Sequence, residues 1–117
     1  MQLPVQRGEV HFANLRPTQG AEQDGVRPVV IVSRDAINRS SPVVIIVPFT
    51  DAANKTKVYP SHVRFKAGTA GLTMDSIAIC EQIRAISKTR LTQRLGSLSR
   101  ADMAAIEAAI KITLDLS

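Results

Sequence analysis

Two runs rich in branched aliphatic residues, Val26 to Ser33 and Pro42 to Phe49, dominate the hydropathy pattern of this chain. Their near-continuity predicts strands covered on both faces, and together they form the expected core. Shorter segments alternate instead. Glu9 to Leu15 sets Val10 and Phe12 on one face and His11 and Ala13 on the other, and it stops at Pro17. Ser61 to Phe65 alternates in the same way, and Asp75 to Arg84 reads as one long strand. In that strand Ile77, Ile79, Glu81 and Ile83 share a face, opposite Ser76, Ala78, Cys80, Gln82 and Arg84. A carboxylate pointing with isoleucines near a strand end reads as a paired structural group, which is the expectation for Glu81.

Breaker residues divide these segments. Arg16 to Gly25 is made of Pro, Gly and polar residues, a loop long for its place between two strands, and such loops often carry function. Arg34 to Ser41 is polar enough for a short helical turn. Asp51 to Tyr59, with Asn54, Lys55, Thr56 and Lys57, predicts a second exposed loop, and Gly68 to Gly71 a turn. The C-terminus predicts a helix: Ser99 can cap it, Asp102 stands at the capping-box acid position, and Leu98 with Met103 has staple spacing. Met103, Ile106, Ile110 and Leu114 then form one apolar stripe for docking on the sheet or on another subunit. The expected fold class is mainly β with α (α+β), a small barrel carrying a C-terminal helix, in a single domain over residues 1–117.

Composition is that of an ordinary globular chain, 44% hydrophobic and 21% charged, which excludes collagen-like, coiled-coil and disordered classes. Charge changes the picture more. Fifteen Lys and Arg against ten Asp and Glu leave +5, with a pI near 10.0, and favour a polyanionic partner. The excess sits in the middle: residues 52–94 hold Lys55, Lys57, Arg64, Lys66, Arg84, Lys88, Arg90 and Arg94 against only Asp75 and Glu81. Cys80 is the only cysteine, so no internal disulfide is possible. Met1 to Val10 lacks the apolar core of a signal peptide, and no apolar run approaches the roughly 20 residues that span a bilayer. A cytoplasmic protein with no membrane association is expected.

Several chemistries lack their residues. His11, His62 and Cys80 are the only imidazole or thiol ligands, none at paired spacing, so neither a metal nor another cofactor is expected. The glycines form no phosphate-cradling loop, and no nucleophile elbow accompanies the serines.

The motifs are more specific. Arg7-Gly8-Glu9-Val10 is followed by Leu15-Arg16-Pro17-Thr18-Gln19-Gly20-Ala21-Glu22-Gln23, then by Gly25-Val26-Arg27-Pro28 and the first aliphatic run. Val47-Pro48-Phe49-Thr50 closes the second run, and Glu81-Gln82-Ile83-Arg84 precedes Ile86 to Leu91. In this order, over nearly the whole chain, the pattern resembles the MazF/PemK toxins, whose motif reads RGD/E, DPTxGxEQ, GxRP, with a threonine at a strand end and a late EQIR. The resemblance implies an SH3-like β-barrel of the CcdB/PemK kind, a homodimer, and metal-independent cleavage of single-stranded RNA at short sequences. It also implies a cognate, MazE-like antitoxin as inhibitor. Residue by residue it implies that Arg27 and Thr50 are catalytic, that Glu22 and Gln23 lie beside the cleaved phosphate, and that Gln82 and Arg84 line the RNA groove. This chain departs from the pattern at His11, where an aromatic is frequent, at Asn14 and Arg16, which replace acidic residues, and at Asp24, which replaces a small one.

The chemistry is coherent on its own terms. If the substrate's 2′-hydroxyl is the nucleophile, the protein need only orient the phosphate, neutralise its growing charge and move protons. Arg27 can fork two donors onto phosphate oxygens, Thr50 can add a neutral hydroxyl, and Glu22 can accept the 2′-hydroxyl proton. Without the motif, Arg27 would read as a surface arginine, Thr50 as a strand-end β-former, and Glu22 as a loop acid pairing with an arginine. With aromatics at 3%, a stacking platform is not expected. The two loops, with Lys55 and Lys57 on phosphates, are the expected readers of RNA. The competing readings are a ribonuclease using His11 and His62 as acid and base, a CcdB-like gyrase-binding toxin without nuclease activity, and a degenerate RNA-binding module.

Overall fold

A computed structural model describes residues 4–55 and 57–117; Met1–Leu3 of the opening segment and Thr56 of the expected second loop lie outside the described residues. The aliphatic runs become β2 (Val26–Ile31) and β3 (Val43–Asp51), which pair antiparallel with each other, and β2 pairs in turn with β1 (Glu9–Asn14). β3 is the spine. At Ile46–Pro48 it pairs with β2, and on its opposite edge it pairs first with β6 (Arg84–Ser87) and then with β5 (Ser76–Ile79). β4 (His62–Phe65) adds to β5, and β7 (Leu91–Ser97) adds to β1, giving the order β4-β5-β3-β2-β1-β7 with β6 off that path. The short helix α1 (Asp35–Ser40) occupies the polar stretch expected to hold a helical turn. The sheet is mainly β with a C-terminal helix, as expected, but it is open: among the described residues no ladder joins β4 to β7.

The long strand expected over Asp75 to Arg84 ends at Ile79; a 3₁₀ turn follows at Cys80–Gln82, and a separate strand, β6, starts only at Arg84. Between the pairs Ile46–Arg84 and Phe49–Ala78, Val47 and Pro48 of β3 face the five residues Ile79–Ile83. The surplus has to leave the ladder, and it does so beside a proline that has no N–H to offer one. Strict alternation fails there. Glu81 is exposed instead of pointing with the isoleucines, although it is paired, with Ser61 and His62. β7 was not expected at all, because Leu-Thr-Gln-Arg-Leu-Gly-Ser carries no apolar alternation; it is an edge strand whose pairing with β1 shifts register twice.

Apolar packing falls in two layers because β1, β2 and β3 present alternate residues to opposite faces. Val29, Ile31, Val44, Ile46 and Ile86 cluster with Ala13 and Leu15 on one face. Val10, Val30, Val47 and Phe49 face the other way, beneath Met103, Ile106 and Ala109 of α2 (Arg100–Leu114). Ser99 caps α2, its Oγ accepting from the Asp102 N–H at 3.1 Å, and Leu98 and Met103 share the core beneath. The expected stripe is shorter than its sequence: Ile110 still packs, but Leu114 is 49% exposed, since the helix outruns the face it covers. Gly71 and Gly96 permit one close approach. A Cβ on Gly71 would stand 2.4 Å from the Leu95 carbonyl oxygen, and one on Gly96 2.7 Å from the Ala70 carbonyl. This contact seats the chain before β5 against β7.

Candidate active site

The β2–β3 ladder runs through Ile31–Ile46, Val30–Val47 and Val29–Pro48 and ends there; Arg27 lies two residues beyond it on β2 and Thr50 two residues beyond it on β3. Both residues line one cleft of about 510 Å³, with Phe12 on one side and Asp51 and Met74 on the other. Thr50 is 5% exposed and paired in the backbone with Ile77 of β5, so a strand holds it on one edge. Its hydroxyl makes no hydrogen bond to another described residue. Arg27 is half-buried, and its Nε donates to the Asp24 carbonyl at 2.6 Å. That bond fixes the plane of the guanidinium while its two terminal nitrogens donate to no other described residue.

A second cluster forms where the first loop meets the turn at Cys80–Gln82. Gln82 Nε2 donates to the Ala21 carbonyl at 3.3 Å, and the Gln23 N–H donates to Gln82 Oε1 at 3.4 Å. Arg84 stands 4.0 Å from the Glu22 carboxylate, whose other oxygen accepts from the Gln19 N–H at 3.2 Å. Two atoms here, Gln23 Oε1 and Arg84 Nη1, are buried without a hydrogen-bond partner among the described residues. Orphaned buried polar atoms cost stability, and they mark a place for a polar ligand or water. The structure thus places Glu22, Gln23, Gln82 and Arg84 together, and Arg27 with Thr50, while Asp24 and Gly25 of the same loop line the cleft and join the two groups. Lys55 caps the 3₁₀ turn Ala52–Asn54 and Lys57 is exposed; neither lines the cleft.

The two histidines serve elsewhere, each on a glutamate. His11 Nε2 is 3.0 Å from Glu9, which also accepts from Arg94 Nε at 3.1 Å. His62 Nε2 is 3.1 Å from Glu81. Burial alone would raise both carboxyl groups. His11, the Gln6 N–H and Arg94 hold Glu9 below the usual glutamate range, and Ser61, a backbone N–H and His62 do the same for Glu81. β2, β3 and β5 separate β1 from β4, and neither imidazole lines the cleft, so the paired-histidine reading is corrected. Burial, then the Glu81 charge, pushes the Cys80 thiol up to about 12. Among the described residues no three His, Cys, Asp or Glu side chains gather as a metal site, and no helix is long and apolar enough to cross a membrane. Sequence reasoning did not place Asp51, Thr73, Met74 or Ser76 on the cleft. Asp51 adjoins Thr50 and was within reach of the register; Thr73 and Met74 arrive through the Gly71–Gly96 contact, which leaves no local signal.

The class this defines is an antiparallel sheet carrying a C-terminal helix, with an arginine and a threonine lining one cleft. Residues 6–114 match the family described as PemK-like, MazF-like toxin of type II toxin-antitoxin system. The endoribonuclease MazF of Staphylococcus epidermidis is 43% identical over 113 residues, covering 97% of this chain and 93% of that protein. Among solved structures, MazF from Deinococcus radiodurans aligns with a TM-score of 0.83 at 22% identity, over 98% of this chain and all of that one. An endoribonuclease in complex with its cognate antitoxin, from a mycobacterial species, aligns with a TM-score of 0.79 at 25% identity over 97% of both chains. This chain belongs to the PemK/MazF toxin family.

Proposed function

We propose that this toxin, an endoribonuclease of a type II toxin–antitoxin pair, cuts single-stranded RNA without a metal, at short sequences, in the cleft between Arg27 and Thr50. The observation that carries the reading is that both side chains line one cleft, with the Arg27 guanidinium tied to the Asp24 carbonyl. In the reaction the substrate's 2′-oxygen attacks phosphorus and the bond to the 5′-oxygen breaks, leaving a 2′,3′-cyclic phosphate and a 5′-hydroxyl. The 2′-hydroxyl proton leaves to a base, and a proton must reach the departing 5′-oxygen. Arg27 donates two hydrogen bonds to the non-bridging oxygens, where charge develops, and Thr50 donates a third from a rigid strand. Glu22 takes the 2′-hydroxyl proton from RNA that spans both clusters.

Gln23, Gln82 and Arg84 contact the strand beyond the cut, and the orphaned atoms of Gln23 and Arg84 support that role. Lys55 and Lys57 meet phosphates from the second loop. The barrel reading extends the open sheet: the three residues Lys88–Arg90 join β6 to β7, and Leu91 packs on the cluster of Ile46 and Ile86. A homodimer, a cytoplasmic location and inhibition by an acidic, partly disordered MazE-like antitoxin complete the reading, the last supported by the mycobacterial relative solved with its antitoxin. A gyrase-binding toxin without nuclease activity is not favoured, since a relative named as an endoribonuclease matches nearly the whole chain.

The test is incubation of purified protein with a long mixed-sequence RNA in EDTA, beside Arg27→Ala. Cuts ending in cyclic phosphate, lost in the variant, are expected. No cuts, cuts only with added magnesium, or unchanged cutting by Arg27→Ala each overturn the reading.

A further inference from the structure

The first loop and the chain entering β4 are both tied to one turn. At the start of β4, the Ser61 hydroxyl donates to Glu81 Oε1 at 2.7 Å and the Cys80 N–H donates to the Ser61 carbonyl at 3.0 Å. His62 adds a third tie. Its Nδ1 accepts from the Tyr59 N–H at 3.4 Å, so the proton of the neutral ring sits on Nε2, which donates to Glu81 Oε2 at 3.1 Å. The ring is held from the side as well, edge-on to Tyr59 with centroids 5.2 Å apart, and only 2% of the His62 side chain is exposed. From the first loop, Ala21 and Gln23 are tied to Gln82, the next residue of the same turn. The turn itself is tight, with the Ile83 N–H on the Cys80 carbonyl at 3.1 Å. Glu81 and Gln82 share this short backbone turn, so a shift of one residue's main chain moves the other's.

We propose that Glu81 is a positioning residue for RNA cleavage: by fastening the Cys80–Gln82 turn to Ser61 and His62, it aims Gln82 and through it holds the first loop, with Glu22 and Gln23, over the RNA. This rests on the proposed site, because it assigns Glu81 no contact with RNA and lets it act only through Gln82. Glu81→Ala is the informative change. It removes both acceptors and leaves the Ser61 hydroxyl and the His62 N–H without their shared partner, whereas a glutamine could turn its amide to satisfy both. Misplacement of a loop by about an ångström can cost on the order of a hundredfold in rate.

The experiment is a double-mutant cycle on the full chain with Glu81→Ala, Gln82→Ala and the pair, reading kcat/KM on an RNA carrying one cut site. The expected result is a loss of roughly tenfold to a hundredfold in each single variant, and a double variant no worse than the weaker-acting single one. Multiplying losses overturn the inference and leave the site standing. An unaffected Gln82→Ala overturns the reading of Gln82 and the inference with it, and an unaffected Glu81→Ala overturns the inference alone. Amide hydrogen exchange supplies a second readout: Glu81→Ala speeds exchange in residues 16–25 and leaves β1–β3 protected. If that variant fails to fold, Ser61→Ala removes one tie at a half-exposed position, and unchanged exchange in residues 16–25 then overturns the proposal.

Discussion

Arg84 Nη1 stands 4.0 Å from Glu22 Oε2, so the cation proposed to grip the RNA strand and the acid proposed to move a proton are neighbours. A phosphate entering beside Arg84 competes for that guanidinium and leaves Glu22 without its partner. Glu22→Gln is expected to slow cleavage by about 10²-fold or more, the usual scale for a lost general base, without weakening RNA binding. Arg84→Ala is expected to weaken binding and reduce its salt slope by about one unit. Titrations of a 2′-deoxy, uncleavable RNA at several salt concentrations, with cleavage rates alongside, separate the two. Weaker binding by Glu22→Gln would sink its assignment to proton transfer.

Arg27→Lys keeps the charge and loses the fork. The Nε bond to Asp24 goes with it, so the remaining ammonium is neither planar nor fixed. Cleavage should fall about 10²- to 10³-fold, the scale for one preorganised donor at a developing oxyanion, while RNA binding changes little. Single-turnover rates in EDTA decide the matter. A lysine variant as fast as the parent would show that charge alone suffices and that Thr50 faces no oriented partner.

Much of this fold was legible because its core strands are nearly pure in type. Val29 to Ile31 and Val43 to Val47 have no polar residues to mislead, and Ser99, Met103 and Ile106 mark α2 locally. The break at Cys80–Gln82 was not legible, because the alternation of Ile77, Ile79, Glu81 and Ile83 is sound in itself. It is cancelled by how many residues Val47 and Pro48 leave room for, a fact about pairing and not about the segment. Arg27 and Thr50 could be named from motifs, yet their placement in one cleft depends on a register that no single strand contains. Arg84's neighbour Glu22 and the Gly71–Gly96 contact are likewise tertiary.

Glu9 is 6% exposed and held below the usual carboxylate range, so it should make stability acid-sensitive. A carboxyl depressed in the folded state contributes fully above its unfolded value of 4.5, and the contribution is lost as pH falls through the folded value beneath that. Urea midpoints should therefore be flat from neutral pH to about 5 and fall below it. In Glu9→Gln the midpoint at pH 7 should be lower than the parent's and the acid slope shallower. A slope identical to the parent's would show that His11 and Arg94 do not stabilise the ionised form.

Cys80 should be chemically silent. Its thiol is fully buried and pushed up to about 12, first by burial and then by the Glu81 charge, so almost none is thiolate near neutral pH. Iodoacetamide at pH 8 is expected to label the native protein far more slowly than the urea-unfolded chain, by mass spectrometry. Rapid native labelling would mean that the Cys80–Gln82 turn opens readily.

The apolar residues of α2 should separate into two energetic classes although they share one stripe in sequence. Ile106 is fully buried among Val10, Val30 and Phe49, and Ile106→Ala should cost about 2–5 kcal/mol through lost burial and the cavity left behind. Leu114 is 49% exposed in the last turn, and Leu114→Ala should change stability by no more than about 0.5 kcal/mol. Ser99→Ala falls between, at about 1 kcal/mol, for the lost bond to the Asp102 N–H. Urea denaturation of the three variants at one protein concentration tests the order. If Leu114→Ala proved as costly as Ile106→Ala, the last turn would be covered in solution by a surface that a single chain does not provide, and repeating the measurement at tenfold dilution would identify that surface as a second copy.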